Sequence, residues 1–148
     1  MDESRIATFF YGSYINQSVL RGLGVEPADV EVARLDGFDI RIAPLANLVR
    51  AEGSSVHGIV VSLTPRELVT LYAHARDVLG GTYHPEAVVV ETAAGEEKAA
   101  RCYIAPAGEA KPAHDDYIER IVAPAREYGF PAEYIAKLES FRAEHAGG

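Results

Sequence analysis

The segment Tyr11-Gly12-Ser13-Tyr14 is the part of the sequence best suited to holding a ligand. A strand-like apolar run ending at Phe10 leads into it, and Asn16, a favoured helix N-cap residue, follows it. A glycine-containing turn between a strand and a helix can direct several backbone N–H groups at one small anion, and the positive end of the helix adds to the attraction. The pattern therefore predicts a carboxylate site, although an ordinary strand-to-helix turn would use the same residues.

The other reactive residue types are scattered along the chain. No group of histidines and cysteines has the spacing of zinc ligands, and the sequence contains no phosphate-binding loop, dinucleotide-binding fingerprint, serine-hydrolase elbow or metalloprotease motif. The single cysteine, Cys102, lies in a strand-like run beside Tyr103, which predicts a small buried side chain rather than a nucleophile. We therefore expect neither a metal nor a cofactor.

Strand-like runs alternate with helical ones, which predicts how these residues are positioned. The clearest helix signal is Thr64-Pro65-Arg66-Glu67, a capping box with proline at the first helical position, and Gly80-Gly81 ends that helix. Its apolar face comprises Leu68, Leu71, Tyr72, Ala75 and Leu79. Turn residues separate predicted strands at Arg5–Tyr11, Val30–Leu35, Phe38–Ala43, Asn47–Arg50, His57–Leu63, Glu86–Glu91 and Lys98–Ile104. A short helix is predicted after Asn16. Beyond a loop at Pro106–Pro112, a second helix is predicted from Asp115, which caps it, to Tyr128. A last helix is predicted to begin at Pro131. Strands interleaved with helices indicate a mixed sheet and an α+β fold.

Composition favours one acidic domain. The chain has 148 residues and a net charge of −8, and this length is typical of a single domain covering residues 1–148. Neither half has the basic surface that nucleic acid requires, so we expect no nucleic-acid partner. No apolar run approaches the ~20 residues of a membrane span, and the acidic N-terminus is unlike a signal peptide. With one cysteine and no possible intrachain disulfide, we expect a soluble cytoplasmic protein with no membrane partner.

Five blocks of the sequence, in order, resemble the γ-glutamylcyclotransferase-like family. The Tyr11–Tyr14 run resembles the Tyr-Gly-Ser-Asn loop of that family, which follows an apolar strand there too. The other matching blocks are Val32–Leu35, Val56–Val61, the helix Glu67–Leu71 with Tyr83 and Val88–Val90 after it, and the C-terminal helices Tyr117–Leu138. The resemblance implies a small mixed β-barrel flanked by helices, with a cavity at the Tyr-Gly-Ser loop.

The resemblance also implies an intramolecular acyl transfer. In active members the α-amine of a γ-glutamyl group attacks its own γ-carbonyl, so that 5-oxoproline forms and the amine partner leaves. A glutamate at the end of a Leu-Asp-x-x-Glu run transfers the protons. By resemblance the substrate-binding residues here are Tyr11, Gly12, Ser13, Tyr14 and Tyr83. The stretch that matches the glutamate run is Leu71-Tyr72-Ala73-His74-Ala75, so Ala75 occupies the glutamate position and Tyr14 that of the loop asparagine.

Two functional hypotheses remain open. The first is an enzyme that cyclises a γ-glutamyl amine or amide, with its acid/base displaced to Glu86 or Asp77, and with His74 as a further candidate. Each of these three side chains could equally be an ordinary surface group. The second hypothesis is a catalytically silent relative that binds a small carboxylate-bearing molecule, or serves as an interaction domain, through the same cavity. Losing a general acid/base typically costs ~10²–10⁴-fold in rate, so Ala75 favours the second.

The position of Ala75 also predicts geometry. It lies one helical turn after Leu71 on the same face, so its side chain should point into the cavity. We expect strands near residues 56–63 and 86–91 to close that cavity.

Overall fold

The computed structural model describes residues 5–42, 45–106 and 113–142, apart from the side chain of Leu79. Ala43, Pro44 and most of the predicted loop Pro106–Pro112 lie outside the described residues. The strands are β1 (Ile6–Phe10), β2 (Ala28–Ile42), β3 (Ala46–Leu63), β4 (His84–Thr92) and β5 (Glu97–Ile104). The α-helices are α1 (Gln17–Gly22), α2 (Pro65–His74), α3 (Asp115–Glu127) and α4 (Ala132–Glu139). A 3₁₀ turn, Ser13–Ile15, precedes α1, and a π-helical turn, Ala75–Leu79, continues α2.

The five strands form a closed barrel in the order β1-β3-β2-β4-β5. Strands β1 and β5 run parallel, with Thr8 opposite Arg101 and Phe9 opposite Cys102. The other neighbouring pairs in this order are antiparallel. The predicted α+β class, a small mixed β-barrel flanked by helices, is therefore confirmed. No helix in the described ranges is both long and apolar enough to cross a membrane.

Strands β2 and β3 are longer than the sequence predicts. Four predicted strands merge into two, and the glycines that predicted breaks, Gly37 and Gly53, lie inside the continuous strands with φ of 87° and 85°. The pairing register of β2 with β3 shifts between Asp36 and Phe38, beside the first of these glycines. A left-handed glycine within a strand is typical of a β-bulge, which bends the strand without ending it.

The helices largely follow the sequence signals. Thr64 caps α2 through the predicted capping box with Glu67. The residue that caps α3 is His114, with no side-chain cap bond, so the prediction of Asp115 as the cap was wrong. Asp115 instead lies in the first turn, where a negative charge favours the positive helix end.

A buried carboxylate connects α4 to the barrel. Asp39 of β2 is only 8% exposed and accepts hydrogen bonds from Lys137 of α4 and from Arg41. Burial alone would raise the pKa of Asp39, but these two cationic donors outweigh it and hold the pKa below its ordinary value.

Helix α3 contains a proline whose missing donor is supplied by another segment. Pro124 has no N–H to offer the carbonyl of Arg120 one turn earlier. The Asn16 side chain donates its Nδ2 to that carbonyl at 3.0 Å, while its Oδ1 accepts from the N–H groups of Ser18 and Val19. Asn16 thus caps α1, as predicted, and also connects α1 to α3.

Replacing Asn16 with aspartate keeps the cap acceptor but removes the donor to Arg120. We expect Asn16→Asp to lower the melting temperature by about 2–4 °C, because one hydrogen bond is worth about 1 kcal/mol. Thermal melting followed by circular dichroism measures the effect. In a Pro124→Ala background the helix regains its own N–H, so the same substitution should cost clearly less. An equal loss in both backgrounds would contradict the proposed compensation.

Candidate functional site

A cavity of about 40 Å³ lies where the Tyr-Gly-Ser turn meets α2, α3 and the barrel. Six of the eight tyrosines of the chain line it. The described residues that line it are Phe10, Tyr11, Gly12, Ser13, Tyr14, Ala46, Tyr72, Ala75, Tyr83, Tyr103 and Tyr117. The five residues to which the resemblance assigns substrate binding therefore surround one cavity.

The turn lies against the start of β3. A Cβ atom built on Gly12 would be 2.8 Å from the Cβ of Ala46, so the turn can approach this closely only because residue 12 has no side chain. The backbone N–H groups of Gly12, Ser13 and Tyr14 have no hydrogen-bond partner among the described residues. Consecutive unpaired N–H groups at the start of a helical turn are the arrangement that the sequence predicted for holding an anion.

Tyrosine hydroxyls hold the walls of the cavity together by donating to the backbone. Tyr11 donates to the carbonyl of Tyr103 at 2.7 Å. Tyr14 and Tyr83 donate at 2.6 Å, to the carbonyls of Leu71 and Ala46 respectively. Burial is the main cause that raises the pKa of Tyr11, Tyr14 and Tyr83 above the ordinary tyrosine value. These hydroxyls therefore stay protonated near neutral pH.

Tyr117 of α3 plays the opposite role, as an acceptor. The N–H of Ala46 donates to the Tyr117 hydroxyl at 2.9 Å. Burial raises the pKa of Tyr117, and hydrogen bonds from Ala46 and Ser13 only partly offset that effect. Ala46 therefore meets a tyrosine hydroxyl at both its N–H and its carbonyl.

Ala75 points into the cavity, as predicted. Its side chain lines the cavity and the residue is only 1% exposed. Ala75 also begins the π-helical turn, and its carbonyl accepts from the N–H groups of Gly80 and Gly81. Turns of this kind inside α-helices are frequent at functional sites. The position that resembles the family's glutamate thus faces the cavity but carries only a methyl group.

The two proposed replacement carboxylates lie on the surface instead. Asp77 is paired with Arg76 at 2.9 Å and Glu86 with Arg50 at 3.0 Å, and neither lines the cavity. The Asp77 side chain is 62% exposed. No aspartate or glutamate of the described ranges lines the cavity. The geometry therefore brings neither predicted acid/base to the cavity.

Two other candidate side chains lie next to the lining. His74 is half-buried, and its Nδ1 lies 3.0 Å from the Tyr14 hydroxyl. Cys102 is fully buried, as predicted, and burial raises the pKa of its thiol to about 12. A thiol with so high a pKa is a poor nucleophile at neutral pH. Within the described ranges, no three His, Cys, Asp or Glu side chains form a group that could hold a metal ion.

The expectation about the cavity walls was wrong. No residue from 56–63 or 86–91 lines the cavity. It is closed instead by Ala46 at the start of β3, by Tyr103 at the end of β5, and by Tyr117 of α3. These strand ends and the helix lie at the same end of the barrel as the turn that follows β1, so residues there meet around it.

Comparisons with known proteins identify the family of this chain. The model of the AIG2-like family matches residues 55–138, which is more than half of the chain. This chain belongs to the AIG2-like family. No curated protein sequence matches it.

Solved structures place this AIG2-like chain with the γ-glutamylcyclotransferase fold. A human protein described as uncharacterized protein loc79017 is 27% identical, with a TM-score of 0.77 over 93% of this chain and 88% of that one. A structure described as gamma-glutamyl cyclotransferase is 26% identical, with a TM-score of 0.76 over 92% and 87% of the two chains. YkqA from Bacillus subtilis shares the fold at 24% identity and a TM-score of 0.72; the match covers 91% of this chain but only 53% of YkqA.

Sequence reasoning missed part of the lining of this AIG2-like cavity. Tyr72 was assigned to a core face, and Ala46, Tyr103 and Tyr117 were not connected with the site. The available signal was composition, because the chain has eight tyrosines and no tryptophan. Tyrosines at this frequency are consistent with a site built from ring faces and hydroxyl groups.

The buried hydroxyls of Tyr117 and Tyr134 give a matched test of the cavity wall. Tyr117→Phe leaves the N–H of Ala46 without a partner, so we expect a loss of about 1–3 kcal/mol, or roughly 2–10 °C in melting temperature. The Tyr134 hydroxyl is buried and, by distance and angle, makes no hydrogen bond within the described residues. Tyr134→Phe should therefore change the melting temperature little. Equal effects of the two substitutions, measured by calorimetry, would contradict this account.

Proposed function

We propose that this AIG2-like protein binds a small carboxylate-bearing molecule of the γ-glutamyl type in the tyrosine-lined cavity, and holds it without cyclising it. The single observation that carries the proposal is Ala75, a buried methyl group facing the cavity at the position where the family resemblance requires a glutamate. The name of the similar gamma-glutamyl cyclotransferase supports the γ-glutamyl part of the proposal.

The carboxylate is assigned to the turn. The unpartnered N–H groups of Gly12, Ser13 and Tyr14 are donors for a carboxylate oxygen at the edge of the cavity. Among the residues that the structure describes, no lysine or arginine lines the cavity, so none of their side chains competes with these N–H groups for the anion. The carbon chain of the ligand then extends along tyrosine rings, which suit a short aliphatic group.

Cyclisation needs a base, and the described residues bring no carboxylate to the cavity. The attacking α-amine must lose a proton, and the departing nitrogen must gain one. The carboxylates of Asp77 and Glu86 are engaged with Arg76 and Arg50 on the surface, away from the cavity. Without a general acid/base, the typical loss of ~10²–10⁴-fold makes turnover slow relative to release of the ligand.

A second candidate function, cyclisation to 5-oxoproline, has one supporting observation. The Nδ1 of His74 lies 3.0 Å from the Tyr14 hydroxyl, which borders the cavity. A proton could pass from a substrate amine to the Tyr14 oxygen as the Tyr14 proton moves to His74. The short bond from Tyr14 to the Leu71 carbonyl opposes this step, because it already occupies the only hydroxyl proton. Binding without cyclisation is therefore the better-supported function.

Assays of 5-oxoproline release from γ-glutamyl amides test the chemistry. We expect the wild type to be inactive and Ala75→Glu to gain release by ~10²-fold or more over the wild type, because the new carboxylate faces the cavity. Ala73→Glu, on the same helix but outside the lining, is the matched control and should gain nothing. Glu86→Gln and Asp77→Asn should release no more and no less 5-oxoproline than the wild type does. Wild-type release that disappears in His74→Asn would support the second candidate instead.

Titration calorimetry with a γ-glutamyl amide tests the carboxylate site. Gly12→Ala should abolish detectable binding, because the added Cβ would meet Ala46 and displace the turn. Gly22→Ala is the matched control, since a Cβ there meets nothing within 4 Å and binding should persist. Circular dichroism should show that both variants are folded. Unchanged binding in folded Gly12→Ala would count against the role of the turn.

A further inference from the structure

We infer that His57 is an acid-sensitive switch, and that protonation of its ring in mild acid loosens helix α4 from the barrel. The switch lies on the outer face of the barrel, away from the tyrosine-lined cavity, so it does not depend on the ligand of that cavity. The inference rests on the ring contacts of His57, the charges around that ring and the way in which α4 is held.

The ring of His57 packs against the junction between α3 and α4. His57 lies on β3 and is half-buried. Its ring centroid is 4.7 Å from that of Tyr134 in α4, with 69° between the two planes, and 5.8 Å from that of Phe130, which lies between the helices. Both partner rings are buried. A neutral imidazole packs there as an aromatic ring, whereas an imidazolium must give up part of its hydration.

Among the described residues, the charged groups that act on this ring belong to β2 and α4. Arg34 is the partner of His57 in the pairing of β2 with β3, and its charge opposes protonation. Asp36 and Glu133 favour protonation, but Asp36 already accepts from Arg34 at 2.8 Å. Tyr134 stays neutral because burial raises its pKa. Burial, followed by repulsion from Arg34, therefore lowers the pKa of His57 from its ordinary value of 6.5.

A lowered pKa gives the direction of the switch. The docked ring binds a proton less readily than a ring that is free in water, so this contribution to docking is fully present above about pH 6.5 and is lost as the pH falls through the lowered pKa. At about pH 5.5 the opening equilibrium rises by at most about tenfold, because the pKa of the free ring is 6.5. A cation–π attraction between the imidazolium and Tyr134 would act in the opposite direction.

Helix α4 is the element that this change releases. It has eight residues, fewer than the ~12–15 that an isolated helix needs in water, and its N-cap Pro131 makes no side-chain cap bond. Tyr134 connects α4 to the barrel through His57, and Lys137 connects it through Asp39. The pKa of Asp39 lies below its ordinary value, so the pair with Lys137 persists in mild acid. Of these two contacts, only the one at His57 changes.

An NMR titration of the wild type tests the direction of the proton equilibrium. The ring signals of His57, assigned by their absence from His57→Phe, would be followed from about pH 8 to about pH 5. The expected midpoint lies below 6.5, because the docked environment disfavours the charged ring. A midpoint at or above 6.5 would overturn the inference, since α4 would then be held as well or better by the imidazolium.

Amide hydrogen exchange tests whether α4 responds to the proton. Protection factors, corrected for the intrinsic exchange rate at each pH, would be compared at about pH 7.5 and about pH 5.5. In the wild type the protection of α4 amides should fall by about three- to tenfold. His57→Phe keeps a ring but cannot take up a proton, so its protection should change by less than about twofold. His84→Phe removes an exposed histidine of β4 instead and should respond as the wild type does. Equal responses of the wild type and His57→Phe would overturn the inference.

The place of opening distinguishes this switch from general acid unfolding. Amides of α4 should be less protected than those of β3 at both pH values, because α4 opens while the barrel stays folded. Equal protection of α4 and β3 would show that α4 is released only by global unfolding, and would overturn the inference. Circular dichroism shows whether each variant is folded. If His57→Phe does not fold, the His57 signals are assigned in the wild type by sequential NMR, and the titration together with the comparison of α4 with β3 decides the matter.

Discussion

The contact between Gly12 and Ala46 is the constraint on which the pocket depends. A side chain at residue 12 would come within 2.8 Å of the Ala46 Cβ, so the turn after β1 reaches β3 only as glycine. The same Ala46 donates its N–H to Tyr117 and accepts from Tyr83 at its carbonyl. One residue at the start of β3 therefore connects the turn, through its Cβ, with α3 and the segment before β4, through its backbone. The cavity is the space left between them.

This arrangement determines what chemistry the pocket can perform. Tyrosines that donate to the backbone become rigid walls, and their buried hydroxyls keep their protons. The described lining is thus rich in tyrosine rings and hydroxyl oxygens, and it contributes no carboxylate to move a proton. Under the proposed function, the AIG2-like scaffold with a methyl group at Ala75 positions a ligand without transforming it. Binding and catalysis are separable in such a scaffold because they depend on different residues.

Local signals in the sequence were enough to predict the turn after β1 and the inward position of Ala75. The Tyr-Gly-Ser run, the Asn16 cap and the Thr64 capping box each act within a few residues, so their outcome could be predicted without the tertiary structure. The continuity of β2 through Gly37 and of β3 through Gly53 could not be predicted in this way. A glycine that ends a strand and one that bends it have the same sequence signature. Tyr103 and Tyr117 were missed because barrel closure, rather than spacing along the chain, brings them to the turn.

The central claim is that the pocket holds a γ-glutamyl ligand without cyclising it, and one NMR experiment tests both parts. A γ-glutamyl amide labelled with ¹³C at the γ-carbonyl would be mixed with an excess of the wild-type protein, and its carbonyl signal followed over hours. The account predicts that the signal broadens or shifts on binding, while the lactam carbonyl of 5-oxoproline grows no faster than in a protein-free sample. Faster growth of the lactam signal, or a ligand signal that the protein leaves unchanged, would contradict the account.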